Sequence, residues 1–140
     1  MPATLPNKIL IIGTIRKDES ILLRKKFANS EPYKETWYSF GCEFVSGEDP
    51  ADTFSKYIND SLGIAILSKK HLSWDTEIKT DHDGLAKQFV YLELEANYVS
   101  GEMQIPDGLE KVEFVAIDDL PDLDIVPPSV KMFRRIGYLE

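Results

Sequence analysis

Residues 37–64 read WYSFGCEFVSGEDPADTFSKYINDSLGI, and the way this stretch folds decides how the rest of the chain is read. Its second half predicts a helix. Asp49 can accept hydrogen bonds from the first-turn N–H groups, and Pro50 has its φ already set for the first helical position. Phe54, Ile58 and Leu62 recur every fourth residue as one apolar stripe, and Gly63 is suited to the left-handed turn that ends helices. An ordinary amphipathic helix accounts for all of this. It does not account for Trp37, Gly41, Gly47-Glu48, Lys56 and Gly63-Ile64 standing in one register around it.

That register resembles the Nudix box, which runs Gly, five residues, Glu, seven residues, Arg-Glu, an aliphatic, any residue, Glu-Glu, any residue, Gly, aliphatic. With Glu48 as the first acid, Lys56 falls on the arginine, Ile58 on the aliphatic and Gly63-Ile64 on the close. Tyr57 stands where the glutamate of the Arg-Glu pair belongs, and Asp60-Ser61 where the acid pair belongs. The opening double glycine is half kept, as Gly41-Cys42. The frame survives and two carboxylates are lost.

The resemblance implies an α/β fold of the Nudix type, a mixed sheet sandwiched between helices, in a single domain over residues 1–140. It also implies an activity, the metal-dependent hydrolysis of a nucleoside diphosphate linked to another moiety, with Mg2+ or Mn2+ as cofactor. On the same basis Glu48, Asp60 and Glu113 are the expected catalytic and metal-binding acids. Glu113 joins them because it precedes the aromatic Phe114 of the closing strand, where MutT-like members carry an acid near the metals. Lys26, Lys56, Trp37 and Tyr57 are the expected substrate contacts.

Positions 57, 60 and 61 lie on one helix face, where three acids could gather a hard cation. Here that face offers one carboxylate, Asp60. A phenol is a neutral donor and no substitute ligand, and a lysine clamps less well than the planar fork of an arginine. Glu43 and Glu110 are reserve acids, and His82, between Asp81 and Asp83, is the loop histidine best placed for acid–base work. Tyr33, Trp37 and Trp74 could stack on a base. Two readings stay open: a hydrolase with a reduced metal site, and a non-catalytic Nudix-fold domain that binds a nucleotide or a protein partner.

Composition narrows the partners. With 24 acids against 16 bases the net charge is −8, which argues against a long nucleic acid as partner, while a small nucleotide-type ligand is what the resemblance implies. Such a ligand needs a local cation, and Arg24-Lys25-Lys26 with Lys56 is one source. The apolar run at residues 9–12 is too short to span a membrane, which needs ~20 residues. Cytoplasmic location is the expectation, since the lone Cys42 precludes an internal disulfide and suits a reducing compartment as a buried thiol. A homodimer is left open.

Outside the box, residues 8–15 and 20–26 predict a hairpin, residues 27–36 a polar loop containing Pro32, and residues 64–67 and 72–78 two extended stretches. Residues 88–96 are the clearest strand, with apolar and acidic residues alternating as a dry and a wet face. Residues 111–117 follow as a strand. Pro127-Pro128 then opens a helix with Val130, Phe133 and Ile136 inward and Lys131, Arg134 and Arg135 outward.

Overall fold

Side chains alternate across a strand, so a strand with apolar residues at both parities can be covered on both faces. β1 (Asn7–Lys17) is such a strand. The computed structural model describes residues 4–28 and 33–140, so Pro32 of the expected polar loop lies outside the described residues. Ile11 and Ile15 of β1 are fully buried on one face, while Ile12 and Thr14 turn to the other.

β1 pairs in parallel with β6 (Ala86–Ser100), from Asn7↔Gln88 to Arg16↔Asn97, and antiparallel with β4 (Phe40–Glu43). The expected hairpin to β2 (Ser20–Lys26) is present, but β1 and β2 pair only at Arg16↔Ile21 and Lys17↔Ser20. Beyond that point the strands part. β2 continues against β3 (Trp37–Tyr38) and β7 (Leu109–Ala116), and β5 (Ala65–Thr80) borders β6. Among the described residues the seven strands form one mixed sheet, ordered β3-β2-β1-β6-β5, with β4 on β1 and β7 on β2.

α1 (Pro50–Leu62) covers one face. The Asp49 carboxylate accepts from the N–H groups of Ala51 and Asp52 at 3.1 and 3.3 Å, and Gly63 ends the helix at φ 75°. Phe54, Ile58 and Leu62 pack on Ile11, Ile15, Leu22, Phe40 and Leu94. α2 (Pro127–Arg135) covers the opposite face, where Met132 and Phe133 meet Ile21, Leu23, Trp37, Val115 and Ile125. The result is the α/β/α sandwich that the resemblance implied. Among the described residues no helix is long and apolar enough to cross a membrane.

Three expectations are corrected. The two stretches at 64–67 and 72–78 are one strand, β5, whose bulges at Ser68/Lys70 and His71/Trp74 absorb the break in pattern. In α2 the expected Val130, Phe133 and Ile136 do pack with the core beneath it, and Pro128, Ser129 and Met132 are buried beside them. The acidic face of β6 is not wet, because Arg135 of α2 and Tyr138 beyond it cover that face. Glu93 and Glu95 are 4% and 6% exposed. Arg135, expected to look outward, instead hydrogen-bonds Glu93 through both Nε and Nη2, and the Tyr138 hydroxyl donates to Glu95 at 3.1 Å. Burial pushes the Glu93 carboxyl up, and the guanidinium offsets that only in part.

The close approach of α1 to β1 depends on Gly13. A Cβ there would stand 2.3 Å from the Phe54 ring. Gly13→Ala should therefore cost ~1–3 kcal/mol by overpacking, read as a lowered urea midpoint, and adding Phe54→Leu should recover part of that loss.

Candidate functional site

Where β1 and β2 part, a cleft of about 920 Å³ opens in the sheet. Lys8, Arg24, Lys26 and Lys79 line it, against a single acid, Asp81, among the described lining residues. In a chain of net charge −8 this is a local gathering of bases, part of whose charge is met where Lys8 pairs with Asp81 and Glu43 and Lys79 pairs with Glu77. Field lines focus in low-dielectric clefts, so such a grouping favours an anionic guest.

β5 and β6 build one wall. Tyr33 and Tyr91 both donate their hydroxyls to Glu77 Oε1, at 2.6 and 2.7 Å, and Lys79 donates to the Tyr33 oxygen at 2.9 Å. The Lys79 ammonium also lies 4.8, 4.5 and 5.7 Å from the ring centres of Tyr33, Phe89 and Tyr91, within cation–π range. Burial, then the hydrogen bond to the Glu77 carboxylate, pushes both phenols well above their ordinary range. Burial also pushes Glu77 up, but the two hydroxyls and the Lys79 charge together outweigh it and hold the carboxyl below its usual range. At the mouth, Lys8 bonds Asp81 at 3.0 Å and Glu43 at 3.3 Å. Hydrogen bonds from Lys87 and Lys8 keep Asp81 well below the ordinary carboxylate range. His82 lines the cleft from an exposed turn, its backbone N–H donating to Asp81.

β2 and the β3–β4 connection build the other wall. Lys26 donates to the Tyr33 carbonyl, while Lys25 turns away to pair with Glu110 at 3.1 Å. The Arg24 guanidinium stacks on Tyr38, 4.1 Å from the ring centre, and donates to the Ser39 carbonyl at 3.2 Å and the Tyr57 hydroxyl at 3.3 Å. Beside it, the Ser39 hydroxyl oxygen is buried without a hydrogen-bond partner among the described residues. Arg24 thus joins the cleft to the box helix.

The box residues lie along α1 without converging. Glu48 is exposed and accepts from Thr53 Oγ1 at 2.7 Å. Asp60 is exposed seven residues beyond Thr53, roughly 10 Å farther along the axis by helical rise. Glu113 alternates with Val112, which packs with the α1 core, and Val115 belongs to the α2 core, so Glu113 points to the α2 side of the sheet. Among the described residues no three acids, histidines or cysteines group as a metal site. The residues present do not fit Mg2+ or Mn2+ bound in the manner of the box.

The remaining candidates separate. Tyr57 touches the cleft through Arg24, and Lys26 lines it. Lys56 is exposed on α1 and is not in the lining. Trp37 is a core residue, 6% exposed, and Trp74 is 71% exposed on β5 opposite Leu92, away from the face of Phe89 and Tyr91. Glu43 and Glu110 are held in the ion pairs given above. Cys42 is half-buried against the α1 core, and burial, opposed by the Arg24 charge, raises its thiol to about 11, so it is protonated at neutral pH. Sequence reasoning missed Lys8, Glu77, Lys79, Phe89 and Tyr91. The available signal was Glu77 and Lys79 two residues apart, hence on one face of a strand with opposite charges.

No protein-family model matches this chain, and no curated protein matches it in sequence. Solved structures do match it. A MutT NUDIX hydrolase from Burkholderia pseudomallei is similar at TM-score 0.75 and 23% identity, over 93% of this chain and 98% of that one. A MutT protein from Methanosarcina mazei Go1 is similar at TM-score 0.74 and 14% identity, over 98% and 96%. A UDP-X diphosphatase is similar at TM-score 0.64 and 18% identity, over 98% of this chain and 64% of that one. The chain has the Nudix/MutT fold.

Because Glu77 titrates lower in the folded protein than when free, its stabilising contribution is present above the ordinary carboxylate range and is lost as pH falls through the depressed value. In urea titrations over pH, the stability gap between the unmodified chain and Glu77→Gln should be largest near neutrality and close toward acid. A gap constant with pH would contradict the assignment.

Proposed function

We propose that this chain is a Nudix-fold binding protein whose ligand is a nucleoside-diphosphate-type anion seated in the cleft between β1 and β2. The observation that carries this reading is the gathering of Lys8, Arg24, Lys26 and Lys79 in the cleft of an acidic chain. Arg24 and Lys26 supply charge for a diphosphate, and Tyr38, Phe89 and Tyr91 supply apolar and aromatic surface for the group attached to it. A diphosphatase among the similar structures supports the ligand class. The dispersal of Glu48, Asp60 and Glu113 favours binding over two-metal cleavage, because a two-metal clamp needs carboxylates grouped closely enough to hold cations on both the entering and leaving oxygens.

The hydrolase reading keeps one supporting observation: Glu48 and Asp60 are both exposed and open to a metal–nucleotide complex. A single panel separates the two. Nucleotide sugars, ADP-ribose, dinucleoside polyphosphates and oxidised nucleotides are incubated with Mg2+ or Mn2+, and both bound ligand and released phosphate are measured. The binding reading expects saturable binding without turnover, weakened by Lys26→Ala about tenfold, the worth of one charged hydrogen bond. Adding Tyr57→Glu with Ser61→Glu should leave turnover absent. Steady phosphate release by the unmodified chain, beside an active relative as control, would overturn it.

A further inference from the structure

We infer that the ligand is captured without a divalent cation, with the guanidinium of Arg24 supplying the positive charge that meets the diphosphate. This rests on the binding reading above and adds the charge carrier. Three observations lead to it.

First, Arg24 is fixed from several sides. It stacks on Tyr38, lies 5.0 Å from the centre of the Phe40 ring, donates Nε to the Ser39 carbonyl and donates Nη1 to Tyr57 Oη. A guanidinium has five donors in a planar fork that matches phosphate, and these contacts use two of them. Second, the contact to α1 falls on position 57, where the box pattern expects a carboxylate. A glutamate there would neutralise Arg24, whereas a phenol orients it and leaves its charge for a guest. Third, Ser39 offers a buried hydroxyl oxygen lacking a partner among the described residues, in the cleft wall beside Arg24. The same substitution that removes a metal ligand therefore leaves an organic cation available at the cleft.

The test uses the full chain with UDP-glucose, ADP-ribose and inorganic pyrophosphate as probes, titrated calorimetrically in excess EDTA and again in Mg2+. The expected result is the same affinity in both buffers. Arg24→Gln should weaken binding at least about tenfold, and Arg24→Lys should recover only part of it, since a point charge lacks the fork. Far-ultraviolet circular dichroism of each variant guards against a trivial loss of fold. Tyr57→Glu gives an independent sign: it should abolish metal-free binding by neutralising Arg24. Binding that requires Mg2+, or metal-free binding that survives both Arg24→Gln and Tyr57→Glu, would overturn this inference and leave the binding reading standing. No binding of any probe in either buffer would overturn both.

Discussion

A strand buried on both faces has no freedom to slip, since a shift of one residue would exchange its two sets of side chains. β1 is held in this way. Ile11 and Ile15 are committed to the core under α1, Gly13 lies between them under the Phe54 ring, and Thr14 reaches Met132 of α2. Its ten-residue parallel register with β6 and its antiparallel register with β4 follow from that commitment. Those registers place Lys8 opposite Phe89 and Leu10 opposite Tyr91 on the cleft face.

The cleft sets local against global electrostatics. Although the chain carries an excess of acids, several near the cleft are already engaged with bases: Asp81 with Lys8 and Lys87, Glu77 with Lys79 and two phenols, Glu43 with Lys8. Pairing consumes part of the lysine charge as well. Arg24 differs in that its polar contacts are to a neutral carbonyl and a neutral phenol, so its charge is directed but not cancelled by them.

Much of the architecture was legible because local signals agreed. Asp49, Pro50, the Phe54-Ile58-Leu62 stripe and Gly63 specify α1 by capping, ring geometry and period, and none of these depends on distant residues. Glu93 and Glu95 were misread because alternation reports which residues share a face, not whether that face is later covered. The covering residues, Arg135 and Tyr138, lie more than forty positions away. Arg24 stood in a visible basic run, yet its contact to Tyr57 depends on the parting of β1 and β2. Tyr91 gave no motif, and Lys79 only its spacing from Glu77, since their significance comes from meeting Tyr33 and Glu77 in space.

The parting of β1 and β2 leaves the sheet as two panels, one of β2, β3 and β7 and the other of β1, β4, β5 and β6, stitched at the tip of a hairpin and backed by the two helices. A molecule lodged between them would touch both panels at once and act as a further stitch. Occupancy and folding then become linked equilibria: the tighter the guest, the more the folded population is favoured over the unfolded one.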